Sequence, residues 1–126
     1  MTVFDPSAAP PPVECLGRYM FAARSARSMQ ELFKYLPLAE QHLLKEGALA
    51  RHKRIASGIL DVLNVKVDGR KAVIKVSTTR GGRINGVEHP YGTAKVELLG
   101  EKGFWKFYRY NDSGVVYMNP PQPKPR

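Results

Sequence analysis

The sequence predicts a single α+β domain in which helices come first and an antiparallel sheet follows. Three observations carry this expectation. Apolar residues in the first half recur with the 3.6-residue period of helices, and beyond about residue 60 they recur with a period of 2. The turn signals of the second half are close together, which makes successive strands antiparallel neighbours. The 126 residues, 43% hydrophobic and 25% charged, suit one domain with one modest core.

Residues 1–12 read as a flexible proline-rich arm, because Pro6 and Pro10 to Pro12 oppose both helix and paired strand. A first helix is expected from Val13 to Ala26, with Leu16, Met20 and Ala23 on one face. Ser28 opens a shorter second helix. Ser28 and Glu31 have the S-x-x-E spacing of a capping box, Met29, Leu32, Phe33 and Leu36 supply the buried face, and Pro37 closes it. A third helical stretch runs from Leu38 to about Ser57. Leu44, Ala48, Ile55 and Ile59 share one side of it, and Leu43, Leu49 and Ala56 widen the stripe. Gly47 is a point where it can split in two, and Gly58 is its stop signal.

Leu63 to Val67 and Ala72 to Val76 then alternate around Asp68-Gly69, a hairpin turn signal. Thr79 to Pro90 reads as a loop rich in glycine and charge. Tyr91 to Leu99 is the third strand, Gly100 to Gly103 a tight turn, and Phe104 to Tyr110 the fourth strand. Asn111 to Gly114 reads as another turn, before a last short strand at Val115 to Met118. Residues 119–126 form a proline-rich basic tail, so the domain proper spans 13–118. The fourth strand is aromatic on both faces, with Phe104 and Tyr108 opposite Trp105 and Phe107. The sheet is therefore expected to curve around a second core or pocket. Apolar on both faces, it is also expected to pair into a homodimer.

Helices followed by such a sheet, with Gly103, Trp105 and Lys106 in G-x-W-K order, resemble the NTF2-like superfamily of cystatin-like, cone-shaped α+β proteins, its small bacterial members in particular. Leu63 to Thr78 is similar to the first long hairpin of that superfamily, and Tyr91 to Tyr110 to its last. The resemblance implies three N-terminal helices packed on a strongly curved antiparallel sheet of four to five strands. It implies no activity, because the superfamily hosts many functions. Its enzymes carry an Asp-His pair or a Tyr-Asp set in the cavity, and no match to either is evident here.

The formal net charge of +9 points to an anionic partner. Cys15 is the single cysteine, which rules out an internal disulfide, and it reads as packing. Neither H-x-x-x-H nor H-E-x-x-H occurs, nor a phosphate-binding G-x-x-x-x-G-K-[ST], so no metal and no cofactor is expected. No apolar run approaches the roughly 20 residues of a membrane span, so membrane insertion is not expected. The chain as written reads as cytoplasmic, or as exported or lipid-anchored if a leader precedes it. His42 and His89 are the candidates for a general base. His52 reads as solvated among Arg51, Lys53 and Arg54. The candidate ligand-binding residues are Trp105, Phe107 and Arg109 on one face of the fourth strand, helped by Arg80 and Arg83 from the glycine-rich loop. Together these features predict a non-catalytic binding or structural module that recognises a protein or a small, possibly anionic ligand. The alternatives are a small pocket hydrolase or isomerase, or a single-stranded nucleic-acid binding protein.

Overall fold

The structure, a computed structural model, describes residues 4–42 and 47–123, with only the backbone of His42. Helix α1 spans Pro12–Ser25. Pro12 sits at its first turn, where the missing N–H has no partner to lose. Cys15, Leu16, Tyr19 and Ala23 recur every three or four residues and are buried. The segment after it keeps its capping box. The Glu31 carboxylate accepts from the backbone N–H groups of Arg27 (2.5 Å) and Ser28 (2.9 Å), and these bonds hold its pKa below the usual carboxylate range. The helix so opened is a 3-10 helix over Met29–Tyr35, not an α-helix. Only a few residues separate the cap from Pro37, and Leu36 is already extended, as the residue before a proline prefers.

The third helical stretch is divided, with Gly47 at the start of its second piece. A 3-10 turn covers Leu38–His42, and α2 covers Ala48–Gly58 after Gly47, whose φ of +85° starts it sharply. The expected positions of Leu43 and Leu44 lie outside the described residues. Basic side chains tie α2 to the end of α1. Lys53 donates to the carbonyls of Ala23 and Arg24 at 3.1 Å each, and Arg24 donates to that of Ala56 at 2.9 Å. These bonds satisfy carbonyls that a helix C-terminus leaves open.

Six strands follow: β1 Ile59–Asp68, β2 Lys71–Thr78, β3 Gly82–Ile84, β4 Val87–His89, β5 Tyr91–Glu101 and β6 Phe104–Tyr117. Four of them form one antiparallel sheet in the order β1-β2-β5-β6, while β3 and β4 pair alone. The Asp68-Gly69 turn stands as expected between β1 and β2. The expected loop 79–90 instead contains the β3–β4 hairpin. Its turn residues Asn85 and Gly86 have φ of +51° and +79°, the left-handed pair that an Asn-Gly hairpin turn uses. The expected turn at 111–114 is an irregularity inside β6. Gly92 pairs with Val116 and Ala94 with Asp112, so β6 carries extra residues there, with Gly114 at φ +77°.

One sheet face packs on the helices. Ile74 lies in register with Val96 and Tyr110, and Ala72 with Leu98 and Phe107; all six are buried. The middle of the other face is open, with Lys75, Lys95 and Arg109 exposed, while Ser77 and Thr93 at one end of it are buried. This corrects the expected architecture. A strongly curved, NTF2-like cone needs the sheet to wrap around a second core, but the sheet here is open and flat, with β1 and β6 as free edges. The physical reason is that lysines and an arginine line the second face, so there is no second apolar core for the sheet to bend around. The argument for a homodimer through two apolar sheet faces falls with it.

Backbone crowding at the base of the β3–β4 hairpin gives a prediction. A Cβ on Gly81 would overlap the carbonyl oxygen of His89. Gly81→Ala is expected to cost about 1–3 kcal/mol, the usual range for a forced backbone shift. Thermal unfolding followed by circular dichroism checks it, with Gly69→Ala as a comparison that meets no atom within 4 Å and differs only in needing positive φ.

Candidate ligand pocket

The sequence places Trp105, Phe107 and Arg109 two residues apart, and strict alternation would put all three on one face. The structure does not. Glu97 pairs with Arg109 but Leu98 pairs with Phe107, so Tyr108 is an extra residue in β6. The slip sends Arg109 to the open face while Trp105 and Phe107 stay inside, each 3% exposed. Arg109 instead donates to the Tyr108 hydroxyl at 2.8 Å and lies over its ring at 4.4 Å. Arg80 and Arg83 are elsewhere again. They line a hollow with Gly81, Gly82 and Val115, and Arg80 approaches Asp112 at 3.7 Å. The five expected ligand residues therefore do not form one site.

Trp105 does border a cavity. It lies between α1, the 3-10 helix and the start of β6, has a volume of about 210 Å³, and is lined by Cys15, Arg18, Lys34, Tyr35, Phe104, Trp105 and Lys106. Tyr35, Phe104 and Trp105 give it aromatic walls. Arg18, Lys34 and Lys106 make it basic. Lys106 is 8% exposed, its amine donates to the Lys34 carbonyl, and burial holds its pKa below the usual lysine value. Arg18 pairs along α1 with Glu14 at 3.1 Å. The Trp105 indole N–H is buried and has no hydrogen-bond partner among the described residues. Such an orphan donor is uncommon in a native fold. Phe4, from the N-terminal arm, closes one side of the indole edge-on, with ring centroids 4.7 Å apart. Its ring occupies the space that a Cβ on Gly100 would fill, which is why glycine suits that position.

A second buried group sits deeper. The Tyr19 hydroxyl and His52 Nδ1 are 2.5 Å apart, and the Tyr19 ring stacks on Phe107 with centroids 4.3 Å apart. Burial lowers the His52 pKa to about 4, helped by the Arg51 charge, and burial pushes the Tyr19 phenol well above its usual value. Both groups are therefore neutral near pH 7. The expectation that His52 is solvated is corrected: it is 8% exposed. The signal was present in the sequence, since His52 lies three and four residues before Ile55 and Ala56 on the apolar stripe of α2. A hollow of about 600 Å³ opens over His52, between Glu40, Arg54 and Tyr108.

Of the expected general bases, His89 makes a hydrogen bond to the Val87 carbonyl at 3.0 Å and has no carboxylate partner among the described residues. The His42 side chain lies outside them. No group of three or more His, Cys, Asp or Glu with metal-binding geometry occurs among the described residues. None of their helices is long and apolar enough to cross a membrane.

The fold and cavity define an α+β domain with an open sheet and a basic, aromatic-walled pocket between its helical layer and edge strand. No family model matches the chain, and no curated protein matches it. Among solved structures, it is similar to the solution structure of a SEC-C motif containing protein from Rhodopseudomonas palustris. The TM-score is 0.50 at 16% identity, over 85% of this chain and 80% of that one. At that identity the likeness concerns the fold alone. It also stands in place of the NTF2-like resemblance, which the open sheet does not support.

Proposed function

We propose that this protein is a binding module that takes a small anionic ligand with an aromatic or apolar body into the pocket beside Trp105. The observation that carries the reading is a cavity whose walls are the aromatic rings of Tyr35, Phe104 and Trp105 and whose other side chains include three basic ones, Arg18, Lys34 and Lys106. Aromatic walls supply apolar contact, while Arg18 and Lys34 orient a carboxylate, sulfonate or phosphate.

The chain has one tryptophan, so its indole N–H gives a single resonance in a nitrogen–proton correlation spectrum. Titration with 4-toluenesulfonate is expected to move that resonance saturably, and benzyl alcohol, of similar shape but uncharged, is expected to bind at least about tenfold more weakly. Lys34→Glu is expected to remove most of that preference. Equal affinities for the two compounds, or an unmoved indole resonance, would overturn the proposal.

A further inference from the structure

The open face of the sheet carries a row of side chains set in register across all four strands: Asn64, Lys75, Lys95 and Asn111. Lys75 and Lys95 are direct cross-strand partners on the two central strands, and both are exposed. Like charges placed directly opposite destabilise a sheet. Neither lysine has a carboxylate within ion-pair distance among the described residues. The next row holds Lys66, Val73, Glu97 and Arg109, and its one carboxylate is taken by Lys71 at 2.8 Å. Folding therefore leaves an uncompensated positive strip where the fold itself gains nothing from it.

The strip is not bare charge. Half-buried Tyr91 and Tyr117 pair across β5 and β6 towards one end of it. Tyr117, Asn64, Lys75 and Thr93 also line a hollow of about 770 Å³, walled by the chain at Pro121 to Pro123. With strands about 4.8 Å apart, the lysine row crosses about 14 Å of sheet. We infer that this face binds single-stranded nucleic acid, with phosphates on the Lys75–Lys95 row and bases against the flanking tyrosines and asparagines. An acidic polypeptide would use the lysines but would leave the ring faces and side-chain amides without a role. A nucleic acid uses all three, since bases stack on aromatic rings and their edges pair with amides. The face is distinct from the pocket beside Trp105, and the inference does not rest on that pocket.

The test is fluorescence polarisation of the full chain with a labelled 12-nucleotide oligo-dT or oligo-U at several salt concentrations. Binding is expected to persist at about 0.15 M salt and to weaken as salt rises. Lys75→Gln/Lys95→Gln is expected to lose at least about tenfold in affinity and to flatten the log–log salt slope by about 1.4, the change for two lost phosphate contacts on a single strand. Its melting temperature is expected to be no lower than that of the parent, because the like-charge pair is gone. Arg27→Gln/Arg54→Gln removes the same charge from exposed positions on the helical layer and is expected to keep affinity within about twofold. Tyr117→Leu is expected to weaken binding without changing the salt slope. Equal losses from the two charge-matched double variants would overturn the inference, as would no binding at about 0.15 M salt. A labelled poly-glutamate peptide that binds the parent as tightly as the oligonucleotide would overturn it in favour of an acidic protein partner.

Discussion

Trp105→Ala is expected to destabilise the protein by about 3–5 kcal/mol, the range for removing a large aromatic from a core. Trp105 is 3% exposed, and Phe4 packs edge-on against it. Removing the indole therefore strips a wall of the pocket, unseats the N-terminal arm and leaves Phe4 without its partner. Urea unfolding followed by far-ultraviolet circular dichroism measures the loss, since the variant has no tryptophan left to report by fluorescence. Trp105→Phe is expected to recover most of it, because it refills much of the volume and carries no orphan N–H. A loss below about 1 kcal/mol for the alanine variant would instead mark Trp105 as an exposed platform of small structural weight. Alanine at Phe4 is expected to be milder than at Trp105, because Phe4 is only partly buried.

The second large effect is on pH dependence, through His52. Its folded pKa is depressed to about 4 from the usual 6.5, chiefly by burial. The unfolded chain therefore binds a proton between pH 6.5 and about 4 that the folded chain does not. Stability falls as pH drops through that window and is fully present above it. The expected loss from pH 7 to pH 4 is about 2 kcal/mol, discounted for solvent screening of a ring that borders an open hollow. His52→Gln is expected to flatten this acid limb, because glutamine can still bond the Tyr19 hydroxyl but does not titrate. Tyr19 acts at the other extreme. Its raised pKa means that the unfolded chain ionises first, so stability falls as pH rises above about 10. Denaturant midpoints measured from pH 4 to 8 on the parent and on His52→Gln check the prediction. Parallel acid limbs for the two proteins would show that another group controls the loss.

The sequence alone determined the parts that depend on near neighbours. Helix-period spacing placed α1, the Ser28–Glu31 box placed the cap, and Asp68-Gly69 placed the first hairpin turn. Asn85-Gly86 carried the same kind of signal and was legible, although the surrounding glycines and charges read as a loop. His52 was legible too, from its place on the stripe with Ile55 and Ala56, but the basic residues around it pointed outward.

The tertiary structure decided the rest. Alternation assigns faces only in an unbroken strand, and the extra residue at Tyr108 shows itself only when β6 is laid against β5. That single slip separates Arg109 from Trp105 and Phe107. Sheet curvature is likewise a property of four strands and their registers together, so a strand order of helices then hairpins fits both a cone and the open sheet seen here. The pocket draws on Cys15 and Arg18, on Lys34 and Tyr35, and on Phe104 to Lys106, three segments far apart in the chain. The lysine row joins four strands. Local periodicity fixes which side chains an element turns inward, but only packing sets which distant elements meet, and the candidate binding surfaces lie where they meet.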